Sequence, residues 1–192
     1  RDCCERAIAG KKPKKAFETK KELRRAMVLY LNGNCEEFEA AVMKYGYPIG
    51  QWDVSNLTDF SLLFCDLYCR TFNEDISDWD VSSATNMSYM FCYASSFNQN
   101  LSGWDVSNVT DMTRMFDRAN SFNGDISDWN VSSVTNMESM FDGATAFNGD
   151  ISNWDTSNVT NMHGMFNGAT AFNGDISNWN VSNVTDMSGV FW

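Results

Sequence analysis

Six tryptophans, Trp52, Trp79, Trp104, Trp129, Trp154 and Trp179, stand 27, 25, 25, 25 and 25 residues apart. A fixed period of this length is the signature of a repeat array, in which one unit cannot bury its apolar face alone and a neighbour must cover it. One full unit runs WNVSSVTNMESMFDGATAFNGDISN from Trp129 to Asn153, and the next runs WDTSNVTNMHGMFNGATAFNGDISN from Trp154 to Asn178. The first unit is two residues longer, and its insertion, between Phe64 and Phe72, carries Cys69. Apolar positions in the fourth unit are Trp129, Val131, Val134, Met137, Met140, Phe141, Ala144, Phe147 and Ile151. Their gaps are mostly three, matching neither strand alternation nor a long amphipathic helix. The Val and Thr content of Ser132 to Asn136 suggests a short strand, and Met140, Phe141 and Ala144 suggest one or two helical turns over Glu138 to Ala144. Asn148-Gly149-Asp150 is turn chemistry. The expected fold is therefore an α/β repeat solenoid, with one short parallel strand and a short helical turn per unit.

Stacking such units turns each periodic position into a column of like residues. Trp52, Trp79, Trp104, Trp129, Trp154 and Trp179 form a core column. Thr58, Thr85, Thr110, Thr135, Thr160 and Thr185 form a polar one, the candidate interaction ladder. Asn73, Asn98, Asn123, Asn148 and Asn173 form another, read as structural because side-chain amides can satisfy backbone groups that the coil leaves unpaired. Cys65 and Cys92 occupy equivalent positions in adjacent units, within the reach of a disulfide, and are the candidate bridge. Cys35 would then pair with Cys3, Cys4 or Cys69. All six cysteines lie in the first half of the chain, an even number that suits an oxidising compartment.

Charge divides the chain. Residues 1–46 hold 11 Lys and Arg against 7 Asp and Glu, a net of +4, and residues 47–192 hold 3 against 18, a net of −15. The division suggests a basic, cysteine-containing lead segment at 1–15, a helical N-terminal cap at 16–47 and the repeats at 48–192. In the cap, Thr19 with Glu22 and Asn34 with Glu37 have capping-box spacing, and the cap would cover the first unit's apolar face. The basic run Lys11-Lys12-Pro13-Lys14-Lys15 reads as a solvated linker. An overall charge of −11 argues against nucleic acid as a partner, and no apolar run is long enough for membrane insertion. The opening on Arg1, without a basic-then-apolar leader, suggests a trimmed product.

The runs FNGDISNWDTSNVTNMHGMF, from Phe147 to Phe166, and FNGDISNWNVSNVTDMSGVF, from Phe172 to Phe191, resemble the BspA-like surface-protein repeat. That family is leucine-rich-repeat-like and is found in mycoplasma lipoproteins, gut and oral bacteria, and marine protists and algae. The resemblance covers about residues 48–192 and implies a right-handed coil, secreted or displayed at the cell surface, that serves adhesion or protein interaction. It implies no shared catalytic residues. Met and Trp stand here where ordinary leucine-rich repeats have Leu.

The residues agree on the absence of a catalytic set. His163 is the only histidine, so a multi-histidine metal site cannot be built. Carboxylate pairs such as Asp78 with Asp80 recur with the repeat and read as solvated turns. No cofactor is expected. Asp75, Asn100, Asp125, Asp150 and Asp175 form an oxygen-rich column that offers ligands of the kind Ca²⁺ takes, although a structural polar column is the preferred reading. Asn56, Asn86, Asn100, Asn108, Asn130, Asn158, Asn180 and Asn183 each begin an Asn-x-Ser/Thr triplet. The expected function is non-enzymatic capture of a protein or glycan partner at the Thr face. The rival expectation is a structural subunit that self-associates through the apolar end at Phe191-Trp192.

Overall fold

The computed structural model describes residues 15–65 and 69–192, so Cys3, Cys4 and Lys11 to Lys14 lie outside the described residues. Among the described residues two α-helices come first, α1 (Lys20–Asn32) and α2 (Cys35–Tyr45), followed by a 3-10 turn at Ile49–Gln51. Thr19 caps α1 by accepting from the Glu22 amide, and Asn34 and Glu37 close a reciprocal capping box on α2. Leu23, Ala26, Met27 and Tyr30 of α1 are buried, as are Phe38, Ala41, Val42 and Tyr45 of α2. The pair is tied to the first repeat unit. Phe17 stacks on Tyr45 at 4.2 Å and lies 5.3 Å from Trp52, Lys20 reaches Asp59 at 2.7 Å, and Tyr30 donates to Glu74 at 2.7 Å.

The repeat region corrects the expected fold class. Among the described residues it contains no strand and no α-helix, so the α/β repeat solenoid, with its leucine-rich-repeat-like strand and helical turn in every unit, does not hold. Where a strand was expected at Ser132 to Asn136, only Asn136 forms parallel bridges, one to Asp111 and one to Asn161. Where a helical turn was expected at Glu138 to Ala144, the backbone is a run of turns with Ser139 at φ 51 and Gly143 at φ 63.

The hydrogen bonds give the physical reason. From Met137 to Ala144 the amides take alternating partners. Met137, Ser139, Phe141 and Gly143 donate to the next unit, at Asn161, His163, Met165 and Asn167, over 2.7–2.9 Å. Met140, Asp142 and Ala144 donate three residues back, to Met137, Ser139 and Phe141. Two left-handed residues four positions apart, Ser139 and Gly143, interrupt the chain, so neither the helical ladder nor the flat pleat can propagate. The three-residue apolar gap in the sequence is the footprint of these turns. Trp129 closes on Ile126, Val134 on Val131, Met140 on Met137 and Phe147 on Ala144, which brings both ends of each turn to the interior.

Units stack through those crossing amides and through their rings. Phe91, Phe116, Phe141, Phe166 and Phe191 run parallel at successive centroid separations of 5.5, 5.7, 5.7 and 5.5 Å. A second column, Phe72, Phe97, Phe122, Phe147 and Phe172, steps at 5.9, 6.0, 6.0 and 5.8 Å. Buried residues from the helix pair to Ala169 form one continuous core.

Candidate functional site

The exposed columns are positioned by this stacking. Each Thr of the candidate ladder is exposed, and from Thr85 onward each is held twice by the unit before it. The Thr135 amide donates to the Thr110 carbonyl at 2.9 Å, and its hydroxyl donates to the same oxygen at 3.2 Å. The same double tie joins Thr85 to Thr58, Thr110 to Thr85, Thr160 to Thr135 and Thr185 to Thr160. With amide and hydroxyl both donating to the unit before, the hydroxyl oxygens form a regularly spaced column.

The Asn ladder lies on an exposed face and bonds from coil to coil. Asn73 Oδ1 accepts from the Asn98 amide, Asn98 from Asn123, Asn123 from Asn148 and Asn148 from Asn173, each at 2.8 Å. The Asp75, Asn100, Asp125, Asp150 and Asp175 column closes local turns instead. Its Oδ1 atoms accept from the Ser amide two residues on, at 2.8–3.0 Å. Those serine hydrogen bonds hold the Asp75, Asp125, Asp150 and Asp175 carboxyls below the usual carboxylate range. Among the described residues no three His, Cys, Asp or Glu side chains gather as a metal cage.

The tryptophan column is buried from Trp52 to Trp154, and Trp179 is partly buried. Trp129, Trp154 and Trp179 stack at 6.3 Å. Each indole also bridges units, donating to the carbonyl of Ile49, Ile76, Leu101, Ile126 or Ile151 for Trp79 through Trp179. Cys65 and Cys92 stand as neighbouring thiols with a hydrogen bond between them. Burial, with Cys65 and Asp117 close by, pushes the Cys92 thiol far up, which makes it a poor nucleophile.

Several contacts carried no sequence signal strong enough to single them out. Ser95, Thr145 and Thr170 form a second hydroxyl column, donating to Arg70, Asn120 and Thr145 of the preceding unit at 3.2–3.5 Å. Three of the Asn-x-Thr asparagines bond across units, Asn108, Asn158 and Asn183 donating Nδ2 to the Ser82, Ser132 and Ser157 carbonyls. Arg114 and Arg118 cover the Tyr89 and Tyr93 rings at 5.9 and 5.3 Å. Both flank Asp117, a buried carboxylate whose value rises through burial and the nearby Asp142. Tyr89, Tyr93, Arg114 and Arg118 all have φ between 52 and 61, the positions that Ser139, Gly143, Gly164 and Gly168 fill in later units.

No curated protein and no solved structure matches the chain. One family model does, described as Mycoplasma protein of unknown function, DUF285, at residues 33–146 and 123–192. Those two overlapping matches span the second helix and the whole repeat region, so the chain belongs to the DUF285 family, within the BspA-like and Mycoplasma repeat-protein group.

Proposed function

We propose that this chain is a non-enzymatic, secreted or cell-surface repeat protein that uses the Thr face to capture a protein or glycan partner. The observation that carries the reading is the exposed, doubly anchored Thr column. Its hydroxyl oxygens sit at a fixed spacing set by the backbone, so a partner docking there loses little to side-chain ordering. Membership of a surface-type repeat family agrees with it, and the finer resemblance to BspA-like surface repeats points the same way. A binding face of this kind is distributed over several units and needs no single reactive residue.

The reading is tested by substituting Thr110, Thr135 and Thr160 together with Lys, then measuring binding of immobilised protein to glycan arrays and extracellular-matrix proteins. The variant is expected to bind about tenfold or more weakly than the parent chain, since bulky charges block a contiguous stripe. Equal binding by parent and variant would remove the Thr face from the account.

A further inference from the structure

The helix pair carries a concavity that the repeat face does not use. A groove of about 510 Å³ runs between α1 and α2, with Ala26, Leu29 and Ala41 among its walls and Lys21, Arg25 and Lys44 at its edges. Lys21 and Arg25 are four residues apart on one helix, where like charges repel each other. Neither has a hydrogen-bonding or ion-pairing partner among the described residues.

The groove's own carboxylate cannot neutralise them. Glu22 already accepts from Lys15 at 2.7 Å and Tyr45 at 2.9 Å, with Lys44 at 3.5 Å. A chain of net charge −11 thus concentrates unpaired positive charge along one apolar-walled channel. Of the described cations nearby, Lys20 is turned away to Asp59.

Size selects the kind of occupant. Thr19 and Leu29 mark the ends of the α1 wall, which at the helical rise is about 15 Å long. A stable protein partner needs about 800 Å² on each side, more than such a channel presents, whereas small-ligand sites run from about 300 to 1,000 Å³.

We infer that the groove between α1 and α2 binds a free aliphatic carboxylate, its head on Lys21 and Arg25 and its hydrocarbon stem along Leu29 and Ala40. Arg25 can meet the carboxylate with two parallel N–H donors, and Lys21 adds a point charge. Lys44, lying over the Tyr45 ring at 4.7 Å, closes the opposite edge.

Isothermal titration with dodecanoate below its micelle-forming concentration tests the assignment. One saturable site per chain is expected, weakened about tenfold or more in the double variant Lys21→Gln/Arg25→Gln. The same loss is expected in Ala40→Phe, which fills the channel and leaves the cations in place. Circular dichroism of both variants should match the parent, since Lys21, Arg25 and Ala40 are exposed. Inorganic phosphate and dodecanol should each bind far more weakly than dodecanoate. Equal binding of dodecanoate by parent and variants overturns the inference, as does dodecanol binding of equal strength. Attachment to phosphatidylglycerol vesicles without binding of monomeric dodecanoate would assign the basic edge to a membrane surface and also overturn it.

Discussion

At the scale of single residues, short polar side chains substitute for the secondary structure that the repeats lack. A coil made of turns leaves amides and carbonyls that no ladder collects, and each needs a partner. Asn, Asp and Thr supply them at fixed positions: Asn136 accepts from the Glu138 amide at 3.0 Å, and Asn123 accepts from the next unit's Asn148 amide at 2.8 Å. Replacing Asn123 with Ala removes that acceptor while leaving the donor in place. The expected cost is about 0.5–1.5 kcal/mol, the net worth of one such bond, read as a lower midpoint in thermal or urea unfolding. Much of this was legible, because a polar residue recurring at a fixed period in an otherwise tolerant turn must have a fixed partner. The partner of the indole N–H was not legible. Nothing in the spacing of the tryptophans says that Trp79 through Trp179 each reach an Ile or Leu carbonyl, 28 residues back for Trp129.

Among the elements, the two helices and the turn-built coils differ in how openly the sequence declares them. Thr19 and Asn34, each with a Glu three residues on, announce both helix starts through a local pattern that needs no tertiary context. The strand and the helical turn expected within each unit failed for a physical reason. Val and Thr content reports a half-buried surface, not a pleat, and Met140-Phe141-Ala144 spacing fits a chain of three-residue turns as well as it fits a helix. What separates them is the left-handed backbone at Tyr89, Arg114 and Ser139, residue types that give no sign of it. The helix pair also has its own acid sensitivity. Hydrogen bonds from Lys15 and Tyr45 hold the Glu22 carboxyl down to about 2, against an ordinary 4.5. A depressed value contributes stability that is fully present above pH 4.5 and is lost as the pH falls from there toward 2. The serine-bonded Asp75, Asp105, Asp125 and Asp155 shift in the same direction. Far-ultraviolet circular dichroism through that window should show thermal stability declining toward acid, and Glu22→Gln should flatten the decline of the helical signal. A stability that rises steadily from pH 4.5 to 2 would contradict this assignment.

For the molecule as a whole, the account rests on units piled in register, like residue over like, from the helix pair at one end to the last tryptophan at the other. Parallel ring columns with separations of 5.5–6.0 Å and the crossing amides belong to one arrangement, and the exposed Thr stripe inherits its regularity from it. The period alone revealed that stacking must occur, since no unit can bury its own Trp, Met and Phe. It did not reveal that stacking proceeds through turns and single bridges. The most direct test is an NMR experiment that detects scalar coupling across hydrogen bonds, from an amide nitrogen to the carbonyl carbon that accepts from it. The account predicts correlations from Thr110 to Thr85, Thr135 to Thr110 and Thr160 to Thr135, matching N–O separations of 2.9 Å. Correlations from those amides to carbonyls within their own unit, or to the neighbouring unit at any spacing other than 25 residues, would contradict it.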